Sequence, residues 1–278
     1  MATVVTSLIE NERFDETLLC EHGLSLLIQA DNQRILFDTG ATSAFIDNAE
    51  MLNIDLTKID YVVLSHAHYD HSGGLRCLCH HTRRKFELVL NPHFFIKKFV
   101  KHDQSLQYIG NDFSEEYLQI ENIKTTFPLT DTFELAPDIF IMSNFEPCCD
   151  FETQDPKYVM LNGGEYKTDS FPEEQVLVIR TSKGLLLFTG CSHAGIVTIC
   201  ENIRRRRQES IYAVIGGMHL KDADLERVKQ TAQYFRENRI QKLCACHCTG
   251  HGAVTCLTLE GPEYVEISAG KVIHFDFD

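Results

Sequence analysis

The stretch Leu64-Ser65-His66-Ala67-His68-Tyr69-Asp70-His71-Ser72-Gly73-Gly74 constrains this chain more than any other, because it sets three imidazoles and a carboxylate close together at the end of an apolar run. Ile59 to Leu64 is β-branched, aromatic and leucine-rich and reads as a buried strand, and Ser72-Gly73-Gly74 marks a sharp turn into a helix. Where a strand is ending, side chains two apart leave on one side, so His66 and His68 are placed to grip one cation. Asp70 and His71, on the turn beyond, can reach a second. Imidazole and carboxylate are the ligand set of zinc-type divalent cations, at roughly 2.0–2.2 Å each. Four such groups packed together without a cation would be hard to satisfy, which separates this cluster from a lone surface histidine.

A chain of 278 residues that is 44% hydrophobic can bury a sizeable core, and a single domain over residues 1–278 is expected. The 26 basic and 40 acidic residues leave a net charge of −14, which would repel a phosphate backbone, so no nucleic-acid partner is expected. No apolar run approaches a membrane span, and the opening stretch has no basic segment leading into an apolar one; a cytoplasmic protein without a membrane partner follows. Eleven cysteines, an odd number in a long chain, read as reduced thiols, several of them filling core space.

Along the chain, Thr3 to Ile9, Leu24 to Ala30 and Arg34 to Phe37 read as strands, and Ala44 to Leu52 as a helix. Asp38, at a strand end just upstream of the metal strand, is either a histidine-orienting acceptor or a helix cap. Leu75 to Cys79 starts a helix, Phe86 to Leu90 is a strand, and His93 to Val100 reads as a short helix. Cys77, Cys79, His80 and His81 share one helix and are not expected to converge on an ion. From 101 to 170 the pattern weakens, with only Asp138 to Met142 reading clearly as a strand, which suggests an active-site cover or insertion. Its aromatics Phe127, Phe133, Phe145, Phe151 and Tyr158 either line a pocket or pack the segment down.

Val176 to Thr181 and Leu185 to Thr189 then form a hairpin, Ile196 to Arg206 a helix, Ile211 to Ile215 a strand, Ala223 to Asn238 an amphipathic helix, and Lys242 to Cys246 a last strand. Three successive strands thus end in histidine-bearing turns, at His193, His219 and His247. In α/β layers such turns gather at one sheet edge, where they can share a site with His66 to His71. Arg204 to Arg207 reads as a solvated helix face, with phosphate binding the alternative.

His66-x-His68-x-Asp70-His71 resembles the signature of the metallo-β-lactamase superfamily. Glu21 to Ser25, Leu36 to Gly40, Thr189 to Ile196, Gly216 to Leu220 and Cys246 to Gly250 resemble one branch of it, the dihydropteroate-synthase-like or ribofuranosylaminobenzene 5′-phosphate synthase-like branch. The resemblance implies an αββα sandwich, two mixed sheets between helices. It assigns His66 and His68 to a first metal and Asp70, His71 and His247 to a second. Where the family has a bridging Asp this chain has Cys191, whose thiolate can bridge zinc ions. A further family histidine, in a Gly-His-Thr-like turn, has no counterpart in Ser143 to Asp150, and His193 is expected to supply it. His219 is expected to face substrate as a hydrogen-bonding or acid/base group, and Cys244, Cys246 and Cys248 to pack.

Two zinc ions, with manganese or iron as alternatives, would generate a metal-bound hydroxide for attack on a small-molecule ester, lactone or phosphoester, Asp70 or His219 handling the proton. The branch label implies instead a phosphoribosyl-type synthase of pterin or methanopterin-like metabolism. Cys191 and the missing histidine also leave open a non-catalytic metal sensor or scaffold. Oxygen-reducing di-iron members carry Glu at the place of His68, which disfavours a redox role. The partner expected is a small-molecule substrate, and a homodimer is left open.

Overall fold

A computed structural model describes residues 2–83, 85–259 and 261–276. Its strands form two seven-stranded mixed sheets and one four-stranded sheet. The first runs Val272–Phe275, Thr3–Ile9, Ser25–Ala30, Gln33–Phe37, Tyr61–Val63, Glu87–Val89, Thr125–Thr126. The second runs Glu263–Tyr264, Lys242–Ala245, Ile211–Gly216, Gly184–Thr189, Gln175–Thr181, Ile139–Ser143, Thr132–Ala136.

Strand alternation explains why both sheets are apolar on two faces. In Gly184–Thr189, Leu186 and Phe188 join a buried cluster with Leu26, Ile28, Phe37 and Val63 of the first sheet, whereas Leu185 and Leu187 join Ile199, Ile203 and Phe235 of helices Ile196–Arg207 and Leu225–Glu237. The first sheet repeats this on its other side: Leu27 and Leu36 pack with Phe45, Leu75 and Leu78 of helices Ala44–Met51 and Leu75–Thr82. Three apolar layers therefore separate helix, sheet, sheet and helix, the αββα sandwich expected. Truncating a central side chain such as Phe188 to Ala would cost about 3–5 kcal/mol.

Parallel pairing sets the location of the site. Gln33–Phe37, Tyr61–Val63 and Glu87–Val89 run parallel, as do Gly184–Thr189, Ile211–Gly216 and Lys242–Ala245. Parallel neighbours end at the same edge, so the turns after them are brought together.

The segment around residues 93–170 departs from the sequence reading. His93 to Val100 is not a helix: Lys97–His102 is a strand, paired antiparallel with Tyr158–Asn162 and Ser105–Tyr108. Residues 101–170 hold a helix, Glu115–Ile120, and several further strands, among them Thr132–Ala136 and Glu165–Thr168. Tyr158–Asn162 and Glu165–Thr168 close a hairpin on Gly163 and Gly164, both at positive φ that glycine adopts without strain. These strands are short and half-polar because the four-stranded sheet has an exposed face, so periodicity alone does not announce them. No described helix is long and apolar enough to cross a membrane.

Candidate metal centre

Asp38, fully buried at the end of Gln33–Phe37, organises the first part of the centre. Its backbone N–H donates to Val63 O at 2.9 Å, and its φ of +60° turns the carboxylate inward. That carboxylate accepts from Ser65 N (2.7 Å) and Ser65 Oγ (2.7 Å), and lies 2.6 Å from His71 Nδ1. A carboxylate only accepts, so the His71 proton is on Nδ1 and Nε2 faces the site. With its own proton directed at Asp38, Ser65 Oγ accepts from His66 Nδ1 at 2.9 Å, which leaves His66 Nε2 inward too. Of the two readings of Asp38, the histidine-orienting one is what the structure shows.

His247 is held in the same way from the opposite sheet. Its backbone N–H donates to Glu10 Oε1 (2.6 Å), and Asn11, whose Nδ2 donates to His247 O (3.1 Å), offers Oδ1 to His247 Nδ1 at 3.0 Å. His193 sits on a turn clamped by Glu174, whose two carboxylate oxygens accept from His193 N and Ala194 N at 2.7 Å each. Burial lifts the Glu174 carboxyl to about 7, against those two donors, which favour its charged form.

The inward atoms crowd one another. His66 Nε2 is 3.1 Å from His68 Nδ1, Cys191 Sγ 3.3 Å from His71 Nε2, and His247 Nε2 3.3 Å from Asp70 Oδ2. Four donor sets among the described residues have their ligand atoms mutually within 4.8 Å: His66, His68 and His193; His66, His71 and Cys191; His22, Asp70 and His247; Cys191, His219 and Cys248. Among the described residues, His68 Nε2, His193 Nε2 and His219 Nδ1 are buried with no hydrogen-bond partner. Moreover, His71 Nε2 and His247 Nε2 face each other at 3.2 Å while each ring's other nitrogen is turned to an acceptor, a contact that needs a proton or a cation between them. The residues present thus fit divalent cations.

Electrostatics agree. Burial pushes His68 down to about 3 and His193 well below the ordinary imidazole value, so both are neutral donors. Burial opposes charge on His71 as well, but Asp38 and Asp70 beside it outweigh this and hold it up to about 9, so a cation arriving there displaces a proton.

A cavity of about 320 Å³ opens over these groups, lined by His68, Asp70, Cys191, His193, His219 and His247 and walled by Asn11, Val100, Ile109, Tyr158 and Lys221. All the ligand candidates of the sequence, His66, His68, Asp70, His71, Cys191, His193 and His247, are brought together, and His219 faces the same cavity. Cys77, Cys79, His80 and His81 enter none of the donor sets among the described residues. Arg204, Arg206 and Arg207 are engaged by Glu201, Ser143 O and Glu209. Tyr158 lines the cavity, while Phe127, Phe133, Phe145 and Phe151 pack against the cores.

Two residues escaped the sequence reading. Cys244 and Cys246 pack between the sheets as expected, but Cys248 does not. His247 has φ +54°, which breaks the strand alternation, so His247 and its neighbour Cys248 both face the site. His22 stacks on His247 with ring centroids 4.8 Å apart and lies 3.2 Å from Asp70 Oδ2. Only its place in the Glu21 to Ser25 motif could have pointed to it.

Residues 19–124 match the sequence profile described as the Metallo-beta-lactamase superfamily. The solved structure of Tm1679, titled a metal-dependent hydrolase of the beta-lactamase superfamily, superposes with a TM-score of 0.84 at 30% identity, covering 98% of each chain. The chain belongs to the metallo-beta-lactamase superfamily. Within that superfamily it is 33% identical over 268 residues, 92% of this chain and 90% of the other, to the 7,8-dihydropterin-6-methyl-4-(beta-D-ribofuranosyl)-aminobenzene-5'-phosphate synthase of Methanocaldococcus jannaschii. A diphosphatase of the PhnP family, at 14% identity and a TM-score of 0.57 over 99% of this chain and 98% of its own, shares the metallo-beta-lactamase fold.

Proposed function

We propose that this protein is a metal-dependent hydrolase of a small-molecule ester, lactone or phosphoester. The observation that carries the reading is the set of buried, inward-facing imidazole nitrogens without partners at the floor of a 320 Å³ cavity. In this reading His66, His68 and His193 would hold one cation and Asp70, His71 and His247 a second, with Cys191 a further donor beside them. Nitrogen, oxygen and sulfur donors together favour zinc, with manganese and iron as alternatives. When bound, such cations supply Lewis acidity, making water a nucleophile near neutral pH and stabilising oxyanion charge.

The chain's own groups do the rest. Asp38, Ser65 and Asn11 keep the three Nε2 atoms aimed inward, and Glu174 fixes the turn of His193. Asp70 Oδ2 is the proton acceptor, and His22 Nε2, 3.2 Å away on a side chain 60% exposed, passes that proton to solvent. Val100, Ile109 and Tyr158 come from the segment flanking and within 101–170, which we read as the cover that keeps bulk water off the reacting group. The cavity volume suits a small molecule.

The 33% identity to the synthase supports a second reading, condensation on an aryl ribofuranosyl 5′-phosphate. A panel of esters, lactones, thioesters and phosphoesters, with zinc, manganese or iron loaded, decides between them. Turnover that disappears together with the cation held by His66 and His68 in His66→Ala/His68→Ala supports hydrolysis, and full activity of a double variant that has lost that cation refutes it. A coupled product from a dihydropterin and an aryl ribofuranosyl phosphate, seen by mass spectrometry, selects the synthase. Cations bound without turnover in either assay select the sensor or scaffold.

A further inference from the structure

Cys191, His219 and Cys248 follow three neighbouring parallel strands, Gly184–Thr189, Ile211–Gly216 and Lys242–Ala245, and so reach the same sheet edge. Their donor atoms lie within 4.8 Å of one another, near enough to converge on one tetrahedral ion. His219 Nδ1 is buried and lacks a hydrogen-bond partner among the described residues. The backbone N–H of His219 donates to Cys248 Sγ at 3.2 Å, a contact that fixes the sulfur and favours its thiolate. Cys248 Sγ also lies 3.6 Å from Cys191 O, a weak thiol contact that a thiolate gives up at little cost. Gly217 leaves the sulfur its place, since a Cβ there would stand 2.7 Å from it.

We propose that Cys191, His219 and Cys248 form a third cation position, built for a thiophilic d10 divalent ion such as zinc or cadmium. It extends the metal-centre reading above and rests on it only for the sharing of Cys191. Three protein donors with the remaining direction open to the cavity make a position that also takes an exogenous ligand, a water or a soft or anionic group of the substrate. His219 is then a ligand in place of the proton carrier expected of its turn, and Cys248 a ligand in place of a packing residue. No change of oxidation state is involved: each thiol that binds releases one proton to solvent.

The test is cobalt and cadmium loading of the full-length protein, read by native mass spectrometry for bound equivalents and by the near-ultraviolet thiolate-to-cobalt charge-transfer band. Cys248→Ser keeps the residue's size and is expected to lose one equivalent and about half of the band; His219→Ala should lose the same equivalent. The equivalents retained at the histidine sites show that each variant is folded. In His66→Ala/His68→Ala the band should persist. A Cys248→Ser protein with wild-type stoichiometry and an undiminished band overturns the proposal. A wild-type protein that hydrolyses the substrate panel but shows no thiolate band also overturns it, together with the part given to Cys191, and leaves hydrolysis at the histidine donors standing, whereas a band that halves in Cys248→Ser in a protein without hydrolysis supports this position and counts against that reading.

Discussion

The ring of Phe171 lies flat on the imidazole of His193, centroids 3.9 Å apart and planes within 2°. Phe171 holds a φ of +51°, strained for an aromatic residue, because its N–H donates to Asp169 Oδ1 at 2.7 Å. Behind it the fully buried Lys98 bridges Asp169 (2.9 Å) and Glu173 (2.6 Å), with its ammonium 5.2 Å from the Phe171 ring centroid. A strand of the four-stranded sheet thus reaches the metal floor through one ion network.

Replacing Lys98 by Met should therefore act on both stability and metal. Two buried carboxylates would lose their cation, so destabilisation of about 3–5 kcal/mol is expected in urea titration. Zinc affinity should also fall as the Phe171 support of His193 loosens. Unchanged unfolding and unchanged zinc affinity would contradict the network.

Asp38→Asn preserves size and tolerates the positive φ, but it removes the charge that aligns His71 and Ser65. Zinc affinity, measured by competition with a chromophoric chelator, should drop about 10–100-fold. Wild-type affinity would mean that His71 is not a ligand.

Cys191→Asp exchanges a soft donor for a hard one where the side chain meets His71 Nε2 at 3.3 Å and belongs to two of the donor sets. The expected result is a shift in preference from zinc and cadmium toward manganese, seen in paired competition titrations. Identical selectivity in both proteins would exclude the thiolate from coordination.

Chelation should lower the unfolding temperature, because a cation at about 100 times its Kd stabilises the folded state by about 2.7 kcal/mol. The His66→Ala/His68→Ala variant should respond much less to chelator in differential scanning calorimetry. An equal response would place the stabilising cation elsewhere.

Ligands packed into consecutive positions could be read directly: His66 to His71 form a contiguous motif whose chemistry does not depend on how distant parts of the chain meet. The two-faced apolar strands of Gln175–Thr181 and Gly184–Thr189 were equally legible, since burial on both sides demands an unbroken hydrophobic run. Lys97–His102 was not, because it becomes a strand through pairing with Tyr158–Asn162 and through burial of Lys98 on Asp169 and Glu173, all distant in sequence. Nor was Cys248, which reaches the site only because the backbone of His247 adopts φ +54° under the hold of Glu10 and Asn11 on the opposite sheet. Short-range residue chemistry declares what a chain can bind; which side chains converge depends on long-range pairing and on backbone angles that packing imposes, and neither leaves a local pattern.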